Sequence, residues 1–220
     1  FIHGGAFISG PAQHHWEAVN NIVKRTNCRV WMCDYPKAPE TKIEQISANI
    51  DQVYKAALAI YLPTQISLIG DSAGGTLVTG LIQRLIKNNF KLPQKIILVS
   101  PVFDASMSNP EINMVEDSDP MLSKIGVLSA KRMCVMNNDL KNVLISPLYG
   151  SFEKFPKTFL FLAENDITYP DQMLAVKKLK QAEIDLEVII GESMPHIWPL
   201  LPLMKEARKS FDQIINILSD

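Results

Sequence analysis

The chain has 220 residues, of which 47% are hydrophobic and 20% charged; 22 basic side chains face 23 acidic ones, for a formal net charge of −1. That size and apolar share suffice for one α/β domain with a sizeable core. The charge balance excludes the basic stripe of a nucleic-acid binder and the polybasic segment that holds an anionic membrane, and no apolar run approaches the length of a membrane span.

In chain order, Phe1–Ile2 reads as the end of a strand. The chain opens there without a methionine, so the expectation is that a true N-terminus, with any signal peptide, lies upstream. His14–Arg25 has helical spacing, with Trp16, Val19, Ile22 and Val23 on one face. Arg29–Cys33 reads as a strand, Ile43–Tyr61 as a helix and Ile66–Ile69 as a strand. Ala73–Ile86 is helical, Ile96–Val99 a strand. Ser123–Met136 is helical inside a long stretch, 103–150, that lacks a clear strand and is expected to pass over the sheet as a lid or substrate wall. Thr158–Leu162 and Leu186–Ile190 are strands. Gln172–Ala182 is a helix behind Pro170, and Leu203–Leu218 closes the chain as another.

Strands alternating with helices imply crossover connections. The expected fold class is α/β: one domain over residues 1–220, a mostly parallel sheet with helices on both faces. The strands are continuous apolar runs, as when both faces are covered. Ligands in such sheets bind outside the carboxyl ends of the strands. Cys28 and Cys33 are an odd number of residues apart, so they should point to opposite faces. All three cysteines are expected as reduced thiols, two of them buried, which fits a reducing, cytoplasmic setting.

The chemistry is carried by Gly70-Asp71-Ser72-Ala73-Gly74-Gly75, between a strand and a helix. Strand, tight turn with serine at its apex, then helix is a nucleophile elbow: glycines let the turn close, and backbone strain exposes the hydroxyl at the sheet's carboxyl edge. A serine hydroxyl needs a neutral imidazole to take its proton and a carboxylate to fix the tautomer. His196 is the one histidine after Ser72, which makes it the expected base. Asp166, after the strand Thr158–Leu162, is the expected acid; Glu164, Asp171 and Asp104 are rivals. Ala73 and the loop His3-Gly4-Gly5-Ala6-Phe7 should supply oxyanion donors, and the sequence leaves open whether Gly4 or Ala6 partners Gly5. His3 is expected to buttress that loop by hydrogen bonding. His14 and His15 have no partner in the pattern and read as helix-start residues.

Together these blocks resemble the hormone-sensitive-lipase-like branch of the α/β-hydrolase esterases, bacterial family IV. Asp34-Tyr35-Pro36-Lys37-Ala38-Pro39-Glu40 is similar to that family's Asp-Tyr-x-x-Ala-Pro-Glu. Asp166-Ile167-Thr168-Tyr169-Pro170-Asp171 is similar to its Asp-Pro-Leu-x-Asp, with one extra position. His196-Ile197 stands where the family often has His-Gly-Phe. Asp119-Pro120-Met121-Leu122 and Ser146-Pro147-Leu148 also match in kind. The resemblance implies an α/β-hydrolase fold, with Ser72 as nucleophile, His196 as base, Asp166 as acid and Gly4, Gly5, Ala6 and Ala73 at the oxyanion hole. It implies structural roles for Tyr35 and Glu40. Family members carry a cap and first strands before the His-Gly-Gly block, so those are expected to be missing here. The function implied is a serine carboxylesterase on small, short-acyl esters, with no cofactor or metal. Its partner is a small-molecule ester, with no nucleic acid and no membrane span; a homodimer stays open. The rivals are an amidase or formamidase with the same triad and a non-catalytic small-molecule receptor on this scaffold.

Overall fold

The computed structural model describes residues 1–219. Its elements are α1 (Gln13–Arg25), α2 (Ile43–Leu58), β1 (Ser67–Asp71), α3 (Ala73–Lys87), β2 (Lys95–Val99), α4 (Ile112–Val115), α5 (Lys124–Cys134), β3 (Lys157–Asn165), α6 (Tyr169–Gln181), β4 (Leu186–Pro195) and α7 (Lys205–Ser219). The four strands pair side by side in chain order, each pair parallel. Crossovers of that kind must run over the faces, and they do. Alternate strand residues feed two separate cores. Ile96, Leu98, Leu160 and Leu162 pack with α2, α3 and α6 on one face. Ile97, Val99, Phe159 and Phe161 pack with α1 and α7 on the other. This is the period-2 geometry of a strand covered on both sides.

The edge beyond β1 departs from expectation. Ile2 bridges Gly70 on one side and Cys33 on the other. The Cys33 N–H donates to the Phe1 carbonyl at 2.9 Å, and the Phe1 backbone nitrogen donates to the Trp31 carbonyl at 2.7 Å. Arg29–Cys33 therefore lies beside Phe1–Ile2 and meets it through the single bridge at Cys33, with no ladder among the described residues. A groove of about 790 Å³ runs along this side, lined by Trp31, Cys33, Tyr54, Tyr61 and Leu218 among others; Ser72, Asp166 and His196 are not in it. Cys134 is buried, whereas Cys28 and Cys33 are half-buried; all three are free thiols.

β3 and β4 run past their apolar stretches, to Asn165 and Pro195, with a register irregularity between Ala163 and Asn165. Backbone pairing continues where the side chains turn polar, and it carries the chain up to the rim. The α1 face also differs from its apolar periodicity. His15, Ala18 and Ile22 are buried, while Trp16 and Val23 are exposed. Stretch 103–150 holds α4 and α5, and its Met107, Ile112 and Val127 form a small apolar cluster with Ile167 of the loop after β3. Asp104 ties its two ends together, accepting from Ser146 Oγ at 3.3 Å and Tyr149 OH at 2.8 Å. Asp119 docks it to the loop after β3 by accepting from the Ile167 N–H at 2.8 Å. No helix among the described residues is long and apolar enough to cross a membrane.

These two faces predict opposite outcomes for two truncations. Leu98→Ala, at 1% exposure, should cost about 2–5 kcal/mol in urea unfolding. Trp16→Ala, at 51% exposure despite its place in the helical pattern, should cost less than about 0.5 kcal/mol.

Candidate active site

Ser72 sits between the end of β1 and the start of α3 with φ 49° and ψ −119°. Those angles lie outside the regions an L-residue prefers, so neighbours must hold them. A Cβ on Gly70 would come 2.6 Å from the Gly74 carbonyl oxygen, and one on Gly74 would collide with the Ile2 carbonyl. Glycine at both positions lets strand, helix and Phe1–Ile2 close around the turn. The Ser72 N–H then donates to the Val99 carbonyl of β2 at 2.9 Å.

The structure brings the three expected side chains together. His196 Nδ1 is 2.7 Å from Asp166 Oδ2, and His196 Nε2 is 2.9 Å from Ser72 Oγ. A carboxylate can only accept, so Nδ1 carries the proton and Nε2 is left to accept from the Ser72 hydroxyl. Asp166 is fully buried. Its Oδ1 accepts from the Thr168 N–H at 2.8 Å and the Thr168 hydroxyl at 2.6 Å, and Gln172 Nε2 approaches Oδ2 at 3.4 Å. Burial pushes this carboxyl up, but the His196 charge and the bonds from His196 and Thr168 outweigh it and leave it below its usual value. Burial pulls the His196 imidazole down; the Asp166 carboxylate overrides that and holds it above 6.5. Thr168 and Gln172 were not legible as site residues, although Thr168 lies two positions past Asp166, where a hydroxyl closes a local turn on a carboxylate.

The rival acids are engaged elsewhere. Glu164 accepts from the Ser193 N–H at 3.0 Å. Asp104 binds Ser146 and Tyr149. Asp171 accepts from Asn109 at 2.9 Å, and burial raises its carboxyl to about 6.

Gly4 is corrected by the structure. Its N–H donates to Asp71 Oδ1 at 3.0 Å, so it is spent on holding the loop. The N–H groups of Gly5, Ala6 and Ala73 donate to no protein acceptor among the described residues. Asp71 Oδ2 in turn accepts from His15 Nε2 at 3.1 Å. His15 is thus a partner of the elbow, which its helix-start position hid. His3 buttresses as expected: its Nδ1 meets the Gly4 carbonyl at 2.5 Å, and its ring stacks on Tyr35 at 4.4 Å. Tyr35 OH donates to the His3 carbonyl at 2.9 Å. Glu40, given a structural role by the resemblance, is exposed and makes no side-chain hydrogen bond among the described residues.

His14, His15 and Asp71 place ligand-type atoms within 4.8 Å of one another. They do not suit a metal. His15 Nδ1 already accepts from the Ala12 N–H at 2.9 Å, so its Nε2 holds the proton and has no lone pair to give. The remaining arrangement can do one kind of chemistry: it presents a serine oxygen to an imidazole able to take its proton, next to unspent N–H donors.

Residues 1–200 match a family described as having the alpha/beta hydrolase fold. The chain belongs to that family. Within these α/β-hydrolases it falls in the hormone-sensitive-lipase-like branch. It superposes with a TM-score of 0.93 on a crystal structure of an esterase from the bacterial hormone-sensitive lipase family, at 27% identity, covering 99% of this chain and 74% of the other. It is 30% identical over 186 residues to an esterase of Acinetobacter venetianus, covering 83% of this chain. It is 27% identical over its full length to a carboxylesterase/phospholipase of Mycobacterium tuberculosis. The chain spans 61% of the length of each of these two relatives.

The protonation state of His196 is open to direct measurement. An NMR titration of its ring should find a midpoint above 6.5. In Asp166→Asn the largest opposing charge is gone and only the weaker pulls of Asp119 and Asp71 oppose burial, so the midpoint should fall below that of the wild type.

Proposed function

We propose that the chain carries the catalytic site of a serine carboxylesterase acting on small, short-acyl esters. The observation that supports this most directly is the unbroken run of hydrogen bonds, 2.9 Å from Ser72 to His196 and 2.7 Å from His196 to Asp166. Ser72 Oγ attacks the ester carbonyl while its proton moves to His196 Nε2. The Gly5, Ala6 and Ala73 N–H groups receive the oxyanion, and Asp166 stabilises the imidazolium. His196 then gives its proton to the leaving alkoxide, and the alcohol departs from an acyl-Ser72. Water, deprotonated by the same imidazole, attacks that acyl group; the Ser72 oxygen then leaves, takes that proton back from His196, and the acid is freed. In this reading residues 1–220 act as one hydrolase domain, and stretch 103–150 forms a wall over the acyl and alcohol sites. A receptor on the same scaffold would have no use for an imidazole held between a hydroxyl and a buried carboxylate.

Incubation with an organophosphonate followed by peptide mapping tests this directly. Label should appear on the peptide holding Ser72 and vanish in Ser72→Ala, whose turnover of p-nitrophenyl acetate should drop on the order of 10⁴-fold or more. A folded sample that takes no label would reject the proposal. The base must be neutral to accept a proton, and the folded imidazole keeps its proton to higher pH than usual. Activity should therefore rise with pH, with a midpoint above about 6.5.

A further inference from the structure

Helix α5 presses on the strained part of the loop that follows His3. Ala6 and Phe7 hold φ of 55° and 68°, left-handed conformations that non-glycine residues keep only when their surroundings fix them. The Phe7 ring is fully buried, and Lys131 Nζ lies 4.1 Å from its centroid. One turn further along α5, Cys134 Sγ is 3.9 Å from the Ala6 carbonyl oxygen. Lys131 is 1% exposed, and its Nζ has no hydrogen-bond partner. No carboxylate pairs with it among the described residues. A buried ammonium without a counter-ion is unfavourable, and the ring face is the group here that offsets it.

We propose that Lys131 is a positioning residue: its ammonium, seated on the Phe7 ring, holds Ala6 and Phe7 in the conformation that leaves the Ala6 N–H free to donate. This rests on the esterase reading for its catalytic consequence, but not for the loop geometry itself.

The contact is built to weaken in mild alkali. Burial pushes the Lys131 amine down to about 8, against the opposing pull of Cys134. The other titratable groups around the contact are Cys134 itself, Tyr35 and Lys42. Burial raises both the Cys134 thiol and the Tyr35 phenol, so both stay neutral where Lys131 titrates. Lys42 donates to the Met133 carbonyl at the end of α5 and acts on Cys134. A loosened loop misplaces a donor needed only when the oxyanion forms, so kcat should fall and KM should hold.

Hydrogen exchange of the peptide covering residues 1–12, corrected for the intrinsic pH dependence of exchange, reads the loop without any turnover. Wild-type protection at Ile8 and Ser9, whose N–H groups close the loop by donating to the Gly5 carbonyl at 3.0 Å, should drop about tenfold between pH 7 and pH 9; unchanged protection would overturn the proposal. In kinetics, Lys131→Met should lower kcat about tenfold at pH 7, keep KM within about twofold and lose the alkaline limb. Lys131→Arg keeps the cation, so it should restore kcat and extend the plateau past pH 9. Phe7→Leu removes the ring that favours the charged form, so its alkaline limb should move to lower pH. A Lys131→Met enzyme with wild-type kcat and an unchanged alkaline limb would reject the idea. If that variant does not fold, Phe7→Leu and the wild-type exchange decide. If the wild type neither hydrolyses esters nor takes a phosphonate label, the esterase reading fails while the exchange result still judges Lys131.

Discussion

The backbone of Ser72 is the constraint on which the site depends. A residue held at φ 49° and ψ −119° is stable only where several elements meet and none can yield. Gly74 abuts the Ile2 carbonyl, the Ser72 N–H is tied to Val99, and the Ser72 carbonyl accepts from Thr76 and Val102 at 3.2 and 3.3 Å. The residue before it extends the same constraint sideways. Asp71 accepts from Gly4 and from His15, so a single carboxylate fastens the nucleophile turn to the loop carrying Gly5 and Ala6. The hydroxyl and the N–H donors are therefore positioned by adjacent residues of one turn, not by two independent loops.

The electrostatics follow from where the charge is kept. Asp166 is buried, and a lone buried carboxylate would take up a proton. It stays ionised because His196 and Thr168 aim hydrogens at it. Asp171, five residues on, shows the alternative: it is equally buried, receives one bond from Asn109, and its carboxyl rises to about 6. The difference between the two acids is the number and charge of the donors around them, together with the like charges of Asp104 and Glu111 beside Asp171. Only the one facing the imidazole is held as an anion that can support a positive charge on His196.

Much of this arrangement was legible because the residues that fix it are local. Gly70 to Gly75 announces the turn, and chain order after Ser72 leaves one histidine. What could not be read depends on distant partners. His15 meets Asp71 across 56 positions of sequence, so the apolar spacing of α1 finds Val19 and Ile22 but misses His15 and takes in the exposed Trp16 and Val23. The loss of Gly4 as a donor follows from where the Asp71 side chain turns, which composition does not encode. β3 and β4 extend beyond their apolar runs because ladders are made by backbone. Arg29–Cys33 has strand residues but meets its neighbour through one bridge, at Cys33. Lys131 reads in sequence as an ordinary basic residue near a helix C-terminus; only the packing of α5 onto Phe7 buries it.

Ile197 shows how a local rule can be broken beside the site. It follows His196 at φ 52°, where the resembling family often has glycine. A left-handed conformation costs a branched residue about 1–2 kcal/mol. Against that, Ile197 is 6% exposed within the core formed with α1 and α7, and burying such a side chain contributes about 1.5–3 kcal/mol. Glycine would remove the strain, lose the burial and add about 0.5–1 kcal/mol of chain entropy to overcome. The balance favours isoleucine, provided its backbone is tied down, and the Ser100 hydroxyl does so by accepting from the Ile197 N–H at 2.9 Å. The bond reaches from the segment after β2 to the residue beside the imidazole. Strain, burial and that hydrogen bond act together on the peptide unit that aims His196, so a position where flexibility would be the simpler solution is here fixed by packing.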